Sequence, residues 1–383
     1  METIGLTFKG MEDIAAKEIL ELTGEKAEIK DSFLKFEVSE EEICKICYLS
    51  QSFTKIMAVI EKININTFDE NKIANMIKSC SIKKWLKKED ISFAARAIIP
   101  KDNNEERTEI EAMIGENIIA NTKENLGFTP KVNLNNPDIT FIGLLDKNTF
   151  YLCIDFTGAD ISKRDYRIFT HPNALKAGVA YAMLKIADIK EDEIIIDPMC
   201  GCGTIAIEAA HFLSKKSTHY FTKDKFAFSK FMEFDFEKED AKIKGKITGK
   251  IHAFDNQMRH IKAAEKNAKI AAVNSIINFS RTDIEWLDTK FKEHSIDKII
   301  SFPPQKSKLI LDKELEKLFT ELFYQAKYTL NAKGKMVLIS TEGRINEILE
   351  KSAKMHDFKI SSKTEIIHGQ QKEVIIAFAR KSD

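Results

Sequence analysis

The chain has 383 residues, 43% of them hydrophobic and 31% charged, a balance that suits a globular protein of two or three domains. Its 59 basic and 59 acidic residues cancel, so any surface that attracts nucleic acid has to be local. Six cysteines show no disulfide framework, no apolar run nears the roughly 18 residues of a membrane span, and Glu2 and Lys9 spoil a signal peptide. A cytoplasmic protein without membrane contact is the expectation.

From the amino terminus, an apolar run leads into GMEDIAAKEILELTG, where Ile14, Ala15, Ile19 and Leu20 recur at helical spacing and Gly24 offers a cap. FLKFEV, a helix through Cys44 and Cys47, and KIMAVIEKI follow, giving a small α+β unit over residues 1–63. The CxxC in EEEICKICYL has no second pair and no histidine partner. It reads as two small apolar residues on one helix face, and no metal is expected. Residues 64–158 form a second α+β unit, with helices DENKIANMIKSC and EIEAMIGENIIANT and strands ISFAARAI, TFIGLLD and TFYLCIDF. A polar, basic linker over 159–172 gives way to a helix predicted to begin after His171 and Pro172. Over 173–383 the pattern is α/β. EIIID, KIHAFD, INFS, DKIISF and GKMVLIS alternate with helices, and FKISSKTEII and EVIIAFAR close the chain as a hairpin. The expected fold is a mostly parallel seven-stranded sheet with a terminal antiparallel hairpin, a feature that separates it from a dinucleotide dehydrogenase.

EIIIDPMCGCGTIAIEAA, residues 193–210, is the sharpest local signal. Three isoleucines make a buried strand, Asp197 ends it, and Gly201 and Gly203 turn the chain into a helix starting near Thr204. Amides at that helix start can receive a carboxylate. A pyrophosphate fits poorly, because Asp197 would repel it and Ala206 stands where a third glycine would be. A ligand with an amino-acid zwitterion suits the loop better, its ammonium toward Asp197 and its carboxylate toward the amides. Asp255, closing KIHAFD, is placed to accept ribose hydroxyls, and Asp283, in FSRTD, to accept from an adenine amine. Either acid could instead cap the helix that follows it.

In this order the segments resemble the THUMP-domain RNA guanine-N2 methyltransferases, most closely the archaeal and bacterial enzymes acting on guanosine 6 of tRNA. GMEDIAAKEI resembles the family's opening helix, and VNLNNPDITF and DFTG the end of its THUMP region. ISKRDYRIFTHPNALKAGVAYAML resembles its basic linker, and DPMCGCGTIAIEAA its cofactor motif. The Phe-rich KFAFSKFMEFDF resembles an insertion between the first two catalytic strands and is expected to pack on the catalytic domain. The resemblance implies a Rossmann-like class I methyltransferase domain preceded by ferredoxin-like and THUMP modules; a monomer is the expectation. It also implies S-adenosylmethionine as cofactor and N2-methylguanosine in the tRNA acceptor stem as product, with large-subunit ribosomal RNA as the alternative target. The cofactor residues would be His171, Pro172, Asp197, Pro198, Gly201, Gly203, Thr204, Asp255, Asn256 and Asp283.

The fourth catalytic strand departs from the family pattern, Asn/Asp-Pro-Pro-Tyr/Phe. There a side-chain and a backbone carbonyl accept the protons of the guanine amine while the aromatic stacks on the base. This strand reads IISFPPQK, with Phe302 in place of Asn or Asp and Gln305 in place of the aromatic. Ser301, Phe302, Pro303, Pro304 and Gln305 are the candidate catalytic residues, and three readings stand open. Gln305 and the Ser301 hydroxyl supply the acceptors while Phe302 stacks; or the target atom differs; or the domain binds cofactor and RNA with little turnover. RNA contacts fall to SIKKWLKK, with Lys83, Lys84, Lys87 and Lys88 around Trp85, and to ISKRDYR, with Lys163, Arg164 and Arg167. For each lysine of the first cluster a solvated helix face is the plainer reading.

Overall fold

A computed structural model describes the chain except for residues 66, 101–104, 171–173, 306–310, 342, 370 and 382–383. The first unit runs β1 (Glu2–Thr7), α1 (Glu12–Thr23), β2 (Glu28–Ile29), β3 (Phe33–Glu37), α2 (Glu40–Leu49) and β4 (Phe53–Asn64). Local chemistry punctuates it. Gly24 takes the left-handed conformation that ends α1, and Ser39 and Glu42 form a capping box at the start of α2. Cys44 and Cys47 lie on the buried face of α2, where burial pushes the Cys44 thiol up to about 12.

The second unit comprises α3 (Glu70–Ser79), β5 (Ser92–Ile98), α4 (Arg107–Leu126), β6 (Lys131–Val132), β7 (Ile139–Asp146) and β8 (Thr149–Asp155). The two units share one eight-stranded sheet, ordered β2-β3-β1-β4-β8-β7-β5-β6. Antiparallel pairing of β4 with β8 joins them, from Met57–Asp155 to Asn64–Thr149. Periodicity along a strand marks which face it buries and not which strand it pairs with, so this continuity is invisible in the sequence.

The remainder holds α5 (Ala177–Ala187), β9 (Ile194–Asp197), α6 (Thr204–Ser214), α7 (Phe236–Asp240), β10 (Lys250–Asp255) and α8 (Met258–Ile270). It continues with β11 (Ile277–Arg281), α9 (Leu287–Lys290), β12 (Ile296–Ser301), α10 (Asp312–Thr329) and β13 (Leu330–Ser340). The chain closes with α11 (Gly343–Met355), β14 (Phe358–His368) and β15 (Gln371–Arg380). The seven strands are ordered β11-β10-β9-β12-β13-β15-β14, and β15 runs against both neighbours, as the terminal hairpin requires. One sheet face buries Val179, Ile205, Ala264 and Ile300; the other buries Phe319, Leu322, Phe323 and Ile348. α5 starts at Ala177, later than a start just after His171-Pro172. Among the described residues no helix is long and apolar enough to cross a membrane.

The Phe-rich insertion corrects one expectation. It packs across onto the first two units instead of onto its own domain. Phe226 and Phe228 join the core that holds Tyr48, Trp85 and Phe156, and the Phe231 ring stands edge-on to Trp85 at 5.5 Å. Each such ring contributes roughly 1.5–3 kcal/mol by leaving water, so the insertion acts as a brace between the domains. Gly10, at φ +90°, makes a second brace: a Cβ there would lie 1.8 Å from the Glu365 carbonyl oxygen of the terminal hairpin.

Candidate active site

The strand order reverses between β9 and β12, so the chain leaves the ends of these strands in opposite directions and opens a crevice. A cleft of about 400 Å³ lies there, lined by Asp197, Pro198, Gly201, Thr204, Asp255, Asn256, Asp283, Phe302, Pro303, Pro304 and Gln305, among others. The acids at the ends of β9 and β10 and just past β11 thus come from successive strands onto one wall, and the prolines form the opposite ledge.

Asp197 is 3% exposed. Its Oδ1 accepts from Ser301 Oγ at 2.6 Å and from the Met199 N–H at 3.3 Å. Burial raises its carboxyl to about 7, with nearby Asp255 adding to the rise, while the Ser301 and Met199 donors oppose it. Asp255 is held more fully. Oδ1 accepts from the Gln257 N–H and from His260 Nδ1, both at 2.9 Å, and Oδ2 accepts from the Gly201 N–H at 3.1 Å. A carboxylate offers about four lone-pair sites, so one is left on Oδ2 for an incoming hydroxyl. His260 is a site residue that the sequence reading missed; its signal is its place in the first turn of the helix after Asp255. Asp283 accepts from Asn256 Nδ2 at 3.3 Å and also caps the short turn after β11.

Two assigned residues do not face the cleft. Gly203, at φ +84°, does not line the cleft and is pressed against α8, where a Cβ would come within 2.9 Å of Ala264 Cβ. Ser301 is fully buried and spends its hydroxyl proton on Asp197. Gln305 lines the cleft, but its amide is committed to the backbone. Nε2 donates to the Pro303 carbonyl at 2.7 Å, and Oε1 accepts from the Thr341 N–H at 3.0 Å and the Thr341 hydroxyl at 3.2 Å. Both lone pairs of Gln305 Oε1 are taken, and Ser301 Oγ, fully buried outside the cleft lining, is out of reach, so neither offers a side-chain acceptor to a base in this arrangement. His171 and Pro172 lie outside the described residues.

Residues 164–369 match the family described as RMKL-like, methyltransferase domain, and residues 68–155 match the THUMP domain. The chain belongs to the RMKL-like methyltransferase family. A tRNA (guanine(6)-N2)-methyltransferase of Methanocaldococcus jannaschii is 28% identical over 368 residues, 94% of this chain and 95% of its own length. A ribosomal RNA large subunit methyltransferase K/L of Vibrio parahaemolyticus is 25% identical over 336 residues, 85% of this chain and 46% of its own. Among solved structures, SMU.472, described as a methyltransferase and crystallised with SAH, superposes with a TM-score of 0.82 at 20% identity. That match covers 100% of this chain and 98% of the other, and it shows the fold.

In this methyltransferase the expected RNA residues divide. Lys83, Lys87, Lys88 and Lys163 are exposed. Lys84 is exposed but paired with Glu40, and the segment around it is a turn, not a helix. Trp85, 7% exposed, is core and offers no stacking face. Arg164 is a correction: its side chain is fully buried, with Nε 3.1 Å from Glu208 Oε1 and Nη2 3.1 Å from Glu208 Oε2. Glu208 also accepts from Tyr166 Oη and Gln51 Nε2, both at 2.7 Å, so the network ties linker, first unit and α6 together and cannot reach a phosphate. Arg167 is half-buried and donates to the Ala174 carbonyl at 3.3 Å.

Proposed function

We propose that this chain transfers a methyl group from S-adenosylmethionine to the exocyclic amine of a guanosine in tRNA. The observation that carries the reading is the pairing, in one cleft, of an acidic wall with a proline ledge. Asp197, Asp255 and Asp283 supply acceptors in a row, which fits a ligand bearing an ammonium, ribose hydroxyls and an adenine amine and fits no phosphate. The spare lone pair of Asp255 suits a hydroxyl, and the loop 197–203 leads its amides into the start of α6, where Thr204 lines the cleft. When bound, the cofactor supplies an electrophilic methyl group on a sulfonium.

The chain's own part is positioning. Phe302, half-buried beside the ledge, gives an aromatic face for the target base. A carbonyl oxygen has two lone pairs, and Gln305 occupies one at Pro303, leaving the other to accept an N–H of the amine and turn its lone pair inward. Gln305 holds the ledge in place by bridging Pro303 to Thr341. A tRNA target is favoured over ribosomal RNA because the likeness to the tRNA enzyme runs the length of both chains, whereas the ribosomal enzyme is matched over less than half of itself. On this reading the protein works in the cytoplasm as a monomer. The test is nucleoside mass spectrometry of purified tRNA and ribosomal RNA from a strain lacking the gene. Loss of N2-methylguanosine from tRNA alone supports the reading, loss from ribosomal RNA alone selects the alternative target, and no loss from either refutes both.

A further inference from the structure

We propose that the exposed face of α8 is a docking track for the RNA backbone that ends at the mouth of the cleft. This rests on the reading of RNA as substrate. Arg259, Lys262, Lys266 and Lys269 follow one another at spacings of three, four and three residues, which stacks them on one side of the helix. All four are exposed, and the other side of α8 buries Ile261, Ala264, Asn267 and Ala268. At about 1.5 Å per residue the stripe is about 15 Å long. Its first member, Arg259, lines the cleft.

No carboxylate closes an ion pair with the stripe among the described residues, Glu265 included, although it stands one turn from both Lys262 and Lys269. Among the described residues the ion pair on α8 belongs to His260, with Asp255, and none involves the four cations. Elsewhere the chain matches its lysines readily, as in Lys84–Glu40, Lys242–Glu239 and Lys244–Glu191. Like charges one turn apart repel, a cost that a polyanion laid along the helix would relieve. In a protein with no net charge, a row of free cations leading into the cleft is the local basic surface that RNA binding requires.

An aromatic group sits beside the row. Phe169 is 39% exposed, and Lys266 Nζ lies 4.7 Å from its ring centroid. Buried Asn267 fixes its backbone, accepting the Phe169 N–H at 3.0 Å and donating to the Phe169 carbonyl at 2.9 Å. The same Asn267 amide donates to the Cys202 carbonyl of the cofactor loop at 3.0 Å, so the Phe169 backbone is tied to the loop that lines the cleft. An exposed ring on a fixed backbone next to phosphate-binding cations is the arrangement that stacks an unpaired base.

The test is fluorescence anisotropy of a labelled, unmodified tRNA transcript against the full-length protein over a range of salt concentrations. Lys262→Gln/Lys266→Gln/Lys269→Gln should weaken binding about tenfold or more and flatten the plot of log Kd against log salt by roughly three contacts. Phe169→Ala should weaken binding about tenfold with the slope unchanged. S-adenosylmethionine affinity and melting temperature should match the wild type in both, and single charge reversals at Lys262 and Lys266 repeat the reading if the triple variant melts early. Wild-type affinity and slope in the lysine variants would overturn the track while leaving the RNA reading intact. Failure of the wild type itself to bind the transcript would remove both.

Discussion

The Ser301 hydroxyl donates to the Asp197 carboxylate at 2.6 Å, fastening the end of β12 to the end of β9 beneath the cleft. This contact places the residue before the Phe302–Gln305 segment against the acid proposed to meet the cofactor's ammonium, so the two halves of the site share one hydrogen bond. Asp197 is otherwise desolvated, so on the proposed reading its charge state controls cofactor binding.

Free Asp197 titrates near 7, above the 3.8 of an exposed aspartate. Below that pH the side chain is neutral and must lose a proton before it can face an ammonium. S-Adenosylmethionine affinity should therefore fall as pH drops below about 7, approaching tenfold per unit, and level off above it. Calorimetry across pH 5–9 checks this. Asp197→Asn should bind weakly at every pH, and Ser301→Ala, which removes a donor to the carboxylate, should move the midpoint upward. Stability runs the other way: the raised folded pKa favours the free fold below 3.8, and that contribution is lost between 3.8 and about 7. Asp197→Asn should thus raise the melting temperature of the cofactor-free protein at pH 8.

Gln305 clamps the ledge to β13 through Ile339 and Thr341. Gln305→Ala should lower kcat about 10- to 100-fold with cofactor Kd within about twofold of wild type, the split expected when a positioning contact is lost. Phe302→Asn/Gln305→Tyr, which restores the family pattern, should lose activity for the same reason. A large gain in that double variant would mean the domain is a weakened relic of the family site.

Removing one partner of the enclosed Arg164–Glu208 pair leaves a charge without compensation. Arg164→Met should cost about 3–5 kcal/mol in urea unfolding, and adding Glu208→Gln should recover part of it. Arg164 in an RNA-contacting role would instead give a stable variant with a shallower salt dependence of binding.

Features local to a strand end were legible in the sequence, and features made by distant partners were not. Asp197, Gly201, Asp255 and Asp283 can be placed on the cleft from a strand, a turn and the next helix alone. Arg164 looks like a phosphate contact until Glu208, on another element, is found beneath it, and Trp85 looks like a stacking face until Phe231 and Phe156 cover it. Gln305 was legible as an oddity, but Thr341, which occupies its carbonyl, lies on a different strand's exit. The 3-4-3 spacing of cations along α8 is written openly in MRHIKAAEKNAKI and needed only a helical wheel; that Glu265, one turn away, closes no ion pair with them needed the fold.

Methyl transfer to guanosine of tRNA is measured directly by incubating the full-length protein with methyl-labelled S-adenosylmethionine and unmodified tRNA, followed by digestion to nucleosides. Label should appear in N2-methylguanosine, abolished by Asp197→Ala and strongly reduced by Gln305→Ala. Tight cofactor binding with no label in any guanosine would contradict this reading.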